Sequence, residues 1–214
     1  MIITVAQRKG GAGKTTLACQ LSVALLKNGF RVATLDADDQ GSLTRWAGLR
    51  QARLDKPDIY HEKGAGFALP SCIRRARKNA DVIVIDTPPT IDKNVTRAIS
   101  AADLVVAPLQ LSPLDLDASL PTAKLIGSLK KKTLFVINRA PPRARVADLI
   151  RAKLKESGLP VASTELGNRA AFAESLASGR GVHETAPSSL ATQELTALTA
   201  EIAGQLVSKR KRAA

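Results

Sequence analysis

The sequence is short of aromatic residues, which make up 3% of its 214 positions, with one Trp, one Tyr and four Phe. A core must therefore be filled by Val, Ile, Leu and Ala, the residues of strands buried on both faces of a parallel sheet. Cysteine is scarce too. Cys19 and Cys72 have neither metal-ligand spacing nor a disulfide framework, and Cys19 falls in an apolar helical pattern, where a thiol serves as packing. No apolar run approaches the roughly 20 residues that a membrane-spanning helix needs. The opening MIITVAQRKGG leads straight into a strand and a loop, without the pattern of a signal or transit peptide, so a cytoplasmic location is expected. The last shortage is acid. There are 19 Asp and Glu against 32 Lys and Arg, a formal net charge of +13, with a pI near 10.2. Such an excess points to a polyanionic partner, nucleic acid or an anionic membrane, and a pI above about 9 favours nucleic acid.

What is present is a regular alternation. Apolar runs at Ile2 to Ala6, Arg31 to Leu35, Asp81 to Ile85, Leu104 to Ala107 and Thr133 to Ile137 read as buried strands, and Val161 to Ser163 as a short one. Between them lie helical spacings. The first starts at Lys14 and stops at Asn28-Gly29. Others are expected over 41–48, 68–79, 92–101, 114–129, 145–157, 168–178 and 188–207. Pro121 is expected to bend the fifth of these eight or delay its start. Pro108 is expected to close the fourth strand. Residues 50–66 are polar and read as irregular. Strand and helix in alternation imply an α/β single-domain fold, a mostly parallel sheet with helices on both faces. The length suits one such domain over 1–208, followed by a basic tail at 209–214. Ligands of these sheets bind beyond the carboxyl ends of the strands. Gly10 to Thr16, Asp36, Asp38, Asp86 and Asn138 all sit just past an expected strand end.

The strongest motif is KGGAGKTT, residues 9–16. It lies between a strand and a helix, the context a phosphate-binding loop requires. Glycines at 10, 11 and 13 let the backbone approach phosphate oxygens, and the amides from Gly10 through Ala12 to Thr16 lie at a helix N-terminus that favours anions. Lys14 is placed to meet the β- and γ-phosphates, and the Thr15 hydroxyl to meet Mg2+. Asp36 and Asp86, each ending an apolar strand, are candidates to hold that Mg2+ through waters; each is also read as a helix N-cap following a strand.

Lys9 turns the general phosphate-loop pattern into K-G-G-x-G-K-[ST]. This resembles the deviant Walker A loop of the ParA/MinD class of P-loop ATPases. LDADDQGSLTRW at 35–46, VIVIDTPP at 82–89 and ADLVVAPLQLSPLDL at 102–116 resemble further segments of that class, nearest to the small ParA proteins of partition systems. The resemblance implies that ATP and Mg2+ are the cofactors. It implies that Lys9 reaches across an ATP-sandwiched homodimer to the partner's phosphates and that Asp38 positions the attacking water. It gives Asn138 a contact to adenine, although a turn role fits that residue too. Asp39 stands where the class usually has proline, so a more mobile switch is expected. Lys9, Lys14 and Asp38 are thus the catalytic candidates.

The function implied is a weak ATP hydrolase that dimerises on ATP, binds DNA without sequence preference and partitions or positions a cargo on the nucleoid. A cargo-bound partner protein would stimulate hydrolysis. DNA contacts are expected among Arg143, Arg145, Lys153, Arg169 and Arg180, with Arg74, Arg75 and Lys209 to Arg212. The alternative is a MinD-like membrane-cycling ATPase. Its support is the last helix, with Leu195, Leu198, Ile202 and Leu206 on one face and basic residues after it; that helix has no Trp or Phe for an anchor, and its other face is mainly Thr, Gln and Glu. Iron–sulfur chemistry of the nitrogenase iron-protein type is not expected, because Cys19 and Cys72 lie in unrelated helices. A synthetase of the dethiobiotin type would not account for the segments at 36–46 and 102–116. A tyrosine kinase of this class needs a tyrosine-rich tail, and Tyr60 is the only tyrosine.

Overall fold

The computed structural model describes residues 1–142 and 145–210. Arg143 and residues 211–214 lie outside the described residues, as do the side chains of Arg145, Leu206, Lys209 and Arg210. In chain order the elements are β1 (Ile2–Val5), α1 (Lys14–Lys27), β2 (Val32–Asp36), α2 (Ser42–Ala52), β3 (Ile59–Lys63), a 3-10 turn (Gly66–Ala68), α3 (Leu69–Asn79), β4 (Val82–Asp86), α4 (Lys93–Ala101), β5 (Leu104–Leu109), α5 (Pro113–Ser128), β6 (Thr133–Ile137), α6 (Arg145–Glu156), α7 (Ala170–Leu176), α8 (Val182–Thr185) and α9 (Leu190–Arg210). The strands form one six-stranded sheet in the order β3-β2-β4-β1-β5-β6, every pair parallel.

Side chains alternate across the sheet, and the clusters divide accordingly. On one face Ile3, Val5, Val32, Val82, Val84, Val106 and Val136 pack with Leu17, Leu21 and Leu25 of α1. Leu195, Leu198 and Ile202 of α9 join this cluster and are fully buried. These three of the four apolar residues expected on one face of the last helix are thus packed in the core. No helix among the described residues is long and apolar enough to cross a membrane. On the opposite face Leu35, Ile83 and Ile85 meet Leu69, Ile73 and Ala76 of α3. Phe135 and Ile137 meet Ile150 and Leu154 of α6.

Four expectations need correction. The polar stretch 50–66 is not wholly irregular, since it contains the end of α2 and the edge strand β3. Residues 161–163 do not form a strand; Val161 makes a single bridge to Phe135. Pro108 does not end β5, which runs on to Leu109. The pairing of β5 with β1 stops at Val106, so a proline two residues later leaves no ladder bond unmade on that side. Its carbonyl accepts the Gln7 side-chain amide at 3.2 Å. Pro121 does not delay α5, which starts at Pro113 behind a Ser112 N-cap and runs through Pro121 to Ser128.

Candidate nucleotide site

The loop between β1 and α1 is shaped by two left-handed residues, Gly11 at φ 75° and Gly13 at φ 91°, a region other residues enter at a cost. A side chain at position 13 would collide with the Asn138 amide. That amide donates to the Ala12 carbonyl at 2.8 Å, and the Asn138 Oδ1 accepts the Arg139 N–H at 3.0 Å. A Cβ at Gly10 or Gly11 would meet nothing within 4 Å. The loop is therefore a cradle, open on the side where amides and the α1 dipole attract an anion. Lys14 is 7% exposed, and its ammonium donates to the Lys9 carbonyl at 3.4 Å. Burial pulls its pKa below the ordinary lysine value, against the charges of Asp86 and Asp38.

Asp36 and Asp86 are neighbours in the β2–β4 register, and both are fully buried. Asp86 Oδ2 accepts the Thr15 hydroxyl at 2.6 Å. Its Oδ1 is buried without a partner. Burial raises the Asp86 pKa to about 7; the Asp36 and Asp38 charges add to the rise, and Thr15 and Lys14 oppose it. An orphaned, buried carboxylate oxygen beside a hydroxyl that has given its proton away fits a divalent cation. Thr15, Asp86 and, through water, Asp36 would hold Mg2+, which would neutralise phosphate charge there. Among the described residues no three His, Cys, Asp or Glu side chains are grouped so as to hold a metal ion by themselves.

Asp36 also organises the chain that follows. Its Oδ1 accepts Asp38 N at 3.1 Å, and its Oδ2 accepts both N and Oγ1 of Thr44 at 2.8 Å. Asp38 Oδ1 accepts Gln40 N at 3.0 Å. Asp39, in the place of the usual proline, is exposed, and its carbonyl accepts Lys63 Nζ at 3.0 Å. These bonds hold the segment from both sides in this conformation. Asp38 lines a cavity of about 260 Å3 with Gly10, Gly13, Lys14, Pro89 and Arg139. A second hollow of about 160 Å3 adjoins it, walled by Leu17, Asn138, Leu166, Asn168 and Phe172. Arg139, at φ 54°, lines both.

Lys9 stands on the rim. Its ammonium lies 2.7 Å from Asp115, with the lysine side chain 36% exposed and the aspartate 5%. Asp115 is the third residue of α5, bonded to the Ser112 cap. The sequence reading missed Asp115, Arg139 and Thr44. The S-x-x-D spacing of a capping pair marks Asp115 as a helix start, but not as the partner of Lys9. Nothing in the sequence marks the left-handed conformation of Arg139.

The structure therefore brings together Lys9 through Thr16, Asp36, Asp38, Asp86 and Asn138. The basic residues are more scattered. Lys153 and Arg180 are exposed. Arg169 is engaged with Glu194 at 2.5 Å and Arg75 with Glu62 at 2.5 Å, so these two are poorer candidates for free phosphate-binding cations.

Residues 3–182 match the model of the CobQ/CobB/MinD/ParA nucleotide binding domain. The chain is 32% identical over 190 residues to maintenance of carboxysome distribution protein A of Halothiobacillus neapolitanus, covering 85% of this chain and 86% of that protein. It is 25% identical to the chromosome-partitioning ATPase Soj of Thermus thermophilus, over 94% of each chain. The solved structure of apo McdA from Cyanothece shares the fold at a TM-score of 0.77 and 19% identity, covering 94% of this chain and 98% of that one. Together with a phosphate-loop cradle set beside two strand-end carboxylates, these likenesses establish that the chain belongs to the CobQ/CobB/MinD/ParA family of nucleotide-binding domains.

Proposed function

We propose that this chain is a Mg2+-dependent ATPase that closes two subunits face to face on ATP, binds DNA without sequence preference and positions a cargo along the nucleoid. A cargo-bound partner protein would stimulate hydrolysis. The carrying observation is Lys9, a cation on the rim of the phosphate cradle, paired with Asp115 and still 36% exposed. One ion-pair exchange would free it to reach phosphates presented by a second copy. Within one subunit, Lys14 and the loop amides would bind the phosphates and Asp38 would orient water in the 260 Å3 cavity. Phosphoryl transfer depends chiefly on such positioning and charge neutralisation. The hollow beside Asn138 suits a flat base between Leu17 and Phe172.

The net charge of +13 supports a phosphate-backbone surface with Lys153 and Arg180 among its exposed cations. The ATPase domain would span 1–208, with 209–214 as a basic tail. Likeness to a carboxysome distribution protein favours a carboxysome-like assembly as cargo; likeness to the chromosome-partitioning ATPase Soj favours a chromosome.

The test is binding to random-sequence duplex DNA with ATP, with ADP, and with ATP plus Lys14→Ala, across a salt series. Binding that needs ATP and Lys14 and falls steeply with salt supports the proposal. Equal binding in all three states would make the charge constitutive, and no binding at low salt would end the DNA reading.

A further inference from the structure

Behind Asp36 lies a part-buried chain of polar groups that runs to the edge of the sheet. Thr44, on α2, donates its hydroxyl proton to Asp36 Oδ2 at 2.8 Å. Its oxygen lies 3.1 Å from His61 Nε2. The other imidazole nitrogen, Nδ1, lies 2.9 Å from the hydroxyl of Thr34, the residue paired with His61 between β2 and β3. Thr34 and Asp36 are both fully buried.

With the ring neutral and the Thr44–Asp36 bond kept, one proton arrangement satisfies all four groups, the Thr34 hydroxyl taking Nδ1 at 2.9 Å over the Tyr60 carbonyl at 3.5 Å. The Thr44 hydroxyl has a single proton, and the carboxylate is its best acceptor. The Thr44 oxygen must then accept from His61, which fixes the Nε2–H tautomer. Nδ1 becomes an acceptor, and Thr34 supplies the proton it needs. The neutral ring suits this arrangement, and burial lowers its pKa against the pull of Asp36 and Glu62.

We propose that His61 is a positioning residue of the nucleotide site, holding Thr44 so that Asp36 and the first turn of α2 keep the orientation the bound cation requires. This inference rests on the nucleotide reading above. Asp36 accepts from Asp38 and from Thr44, on both sides of the turn at 38–41. Whatever sets Thr44 therefore sets the frame of Asp38. The geometry makes β3, an edge strand remote from the loop in sequence, a working part of the switch. His61 also lines a cavity of about 340 Å3 between α2 and β3, so a side chain of different shape at this position has room without displacing the sheet.

The test exploits rarity. The chain has two histidines and one tryptophan, and Trp46 sits two residues past Thr44 with its indole N–H bonded to the Arg180 carbonyl at 3.1 Å. Nitrogen-15 NMR of the imidazoles, assigned with His183→Gln, should show His61 as the neutral Nε2–H tautomer at pH 7. Thr44→Val should abolish that preference. For binding of a fluorescent ATP analogue, His61→Leu should raise the Mg2+ concentration at half-saturation about tenfold or more, the scale of losing an outer-shell partner. It should leave metal-free nucleotide affinity unchanged and alter Trp46 emission. His61→Gln, which keeps a donor at the Nε2 position, should recover most of the loss. An Nδ1–H or protonated ring at pH 7 would overturn the proposal, as would a Leu variant with wild-type Mg2+ dependence. Wild-type protein that binds no Mg2+-nucleotide would sink the nucleotide reading itself, whereas binding by wild type with an unchanged Leu variant sinks only the role of His61.

Discussion

Asp86 carries a cost that the ligand-free protein bears and the liganded one removes, and Asp86→Asn measures it. Burial holds the folded carboxyl at about pKa 7, against about 3.9 in an unfolded chain. The folded pKa is raised, so the stability contribution is whole below the unfolded value and is lost as pH climbs toward 7. The loss runs at about 1.4 kcal/mol per pH unit and totals about 4 kcal/mol by neutrality. An asparagine does not titrate. Its amide N–H, placed where Oδ1 has no partner, costs about 1–3 kcal/mol at every pH. The variant should therefore be close to wild type, or slightly less stable, near pH 5. It should be more stable by about 1–3 kcal/mol at pH 8, with the gain accumulating between pH 5 and 7. Urea unfolding in EDTA, followed by Trp46 fluorescence at four pH values, reads this directly. Groups that titrate alike in both proteins cancel in the difference. A stability difference that stays flat across that range would refute the assignment of a raised, unpartnered carboxyl. With Mg2+ and nucleotide present the order should reverse, since a ligand at a hundred times its Kd adds about 2.7 kcal/mol to the protein that binds it.

Two further substitutions probe the frame around the site. Arg50, 3% exposed, bonds Asp58, Glu184 and the Gly179 carbonyl, tying α2 to the start of β3, to α8 and to the turn before α8. Arg50→Met should cost about 3 kcal/mol in urea unfolding, the low end for removing one partner of a buried pair, because Arg53 remains for Glu184 at 3.2 Å. The Glu184 pKa is held below its ordinary value, chiefly by its bonds to Arg50 against the cost of burial. That contribution is present above the unfolded value and lost as pH falls, so the Arg50→Met deficit should shrink in acid. Gly13→Ala should leave a folded protein that has lost at least about tenfold in nucleotide affinity, because a left-handed alanine costs about 1–2 kcal/mol and its methyl displaces the Asn138 amide. Gly10→Ala, where the methyl meets nothing, should retain wild-type stability.

The buried strands were legible because they are continuous apolar runs, and the loop because glycine spacing has few other uses. The carboxyl ends of those strands place Asp36, Asp38, Asp86 and Asn138 at one edge of the sheet from the sequence alone. β3 was hidden because IYHEK is polar. As an edge strand it buries only Ile59 fully; Tyr60 packs at the margin of the α3-side core with its hydroxyl on Glu62, and Glu62 pairs with Arg75. Pro108 misled because a proline usually ends a strand; the sequence does not show that β1 stops short beside it. The partners of the site were the least legible part. Asp115 meets Lys9 across 106 positions, and His61 reaches Asp36 only through Thr44. Pairings of that kind are set by sheet order, which no local pattern records.

The central claim is that nucleotide joins two copies through Lys9. Light scattering in Mg2+ and a non-hydrolysable ATP analogue tests it most directly. The account predicts that wild type passes from the 22.6 kDa of one chain to twice that mass, and that with ADP it does not. Lys9→Ala should bind the analogue and remain at the single-chain mass. A Lys9→Ala protein that doubles its mass as readily as wild type, or a saturated wild type that never does, would contradict the account.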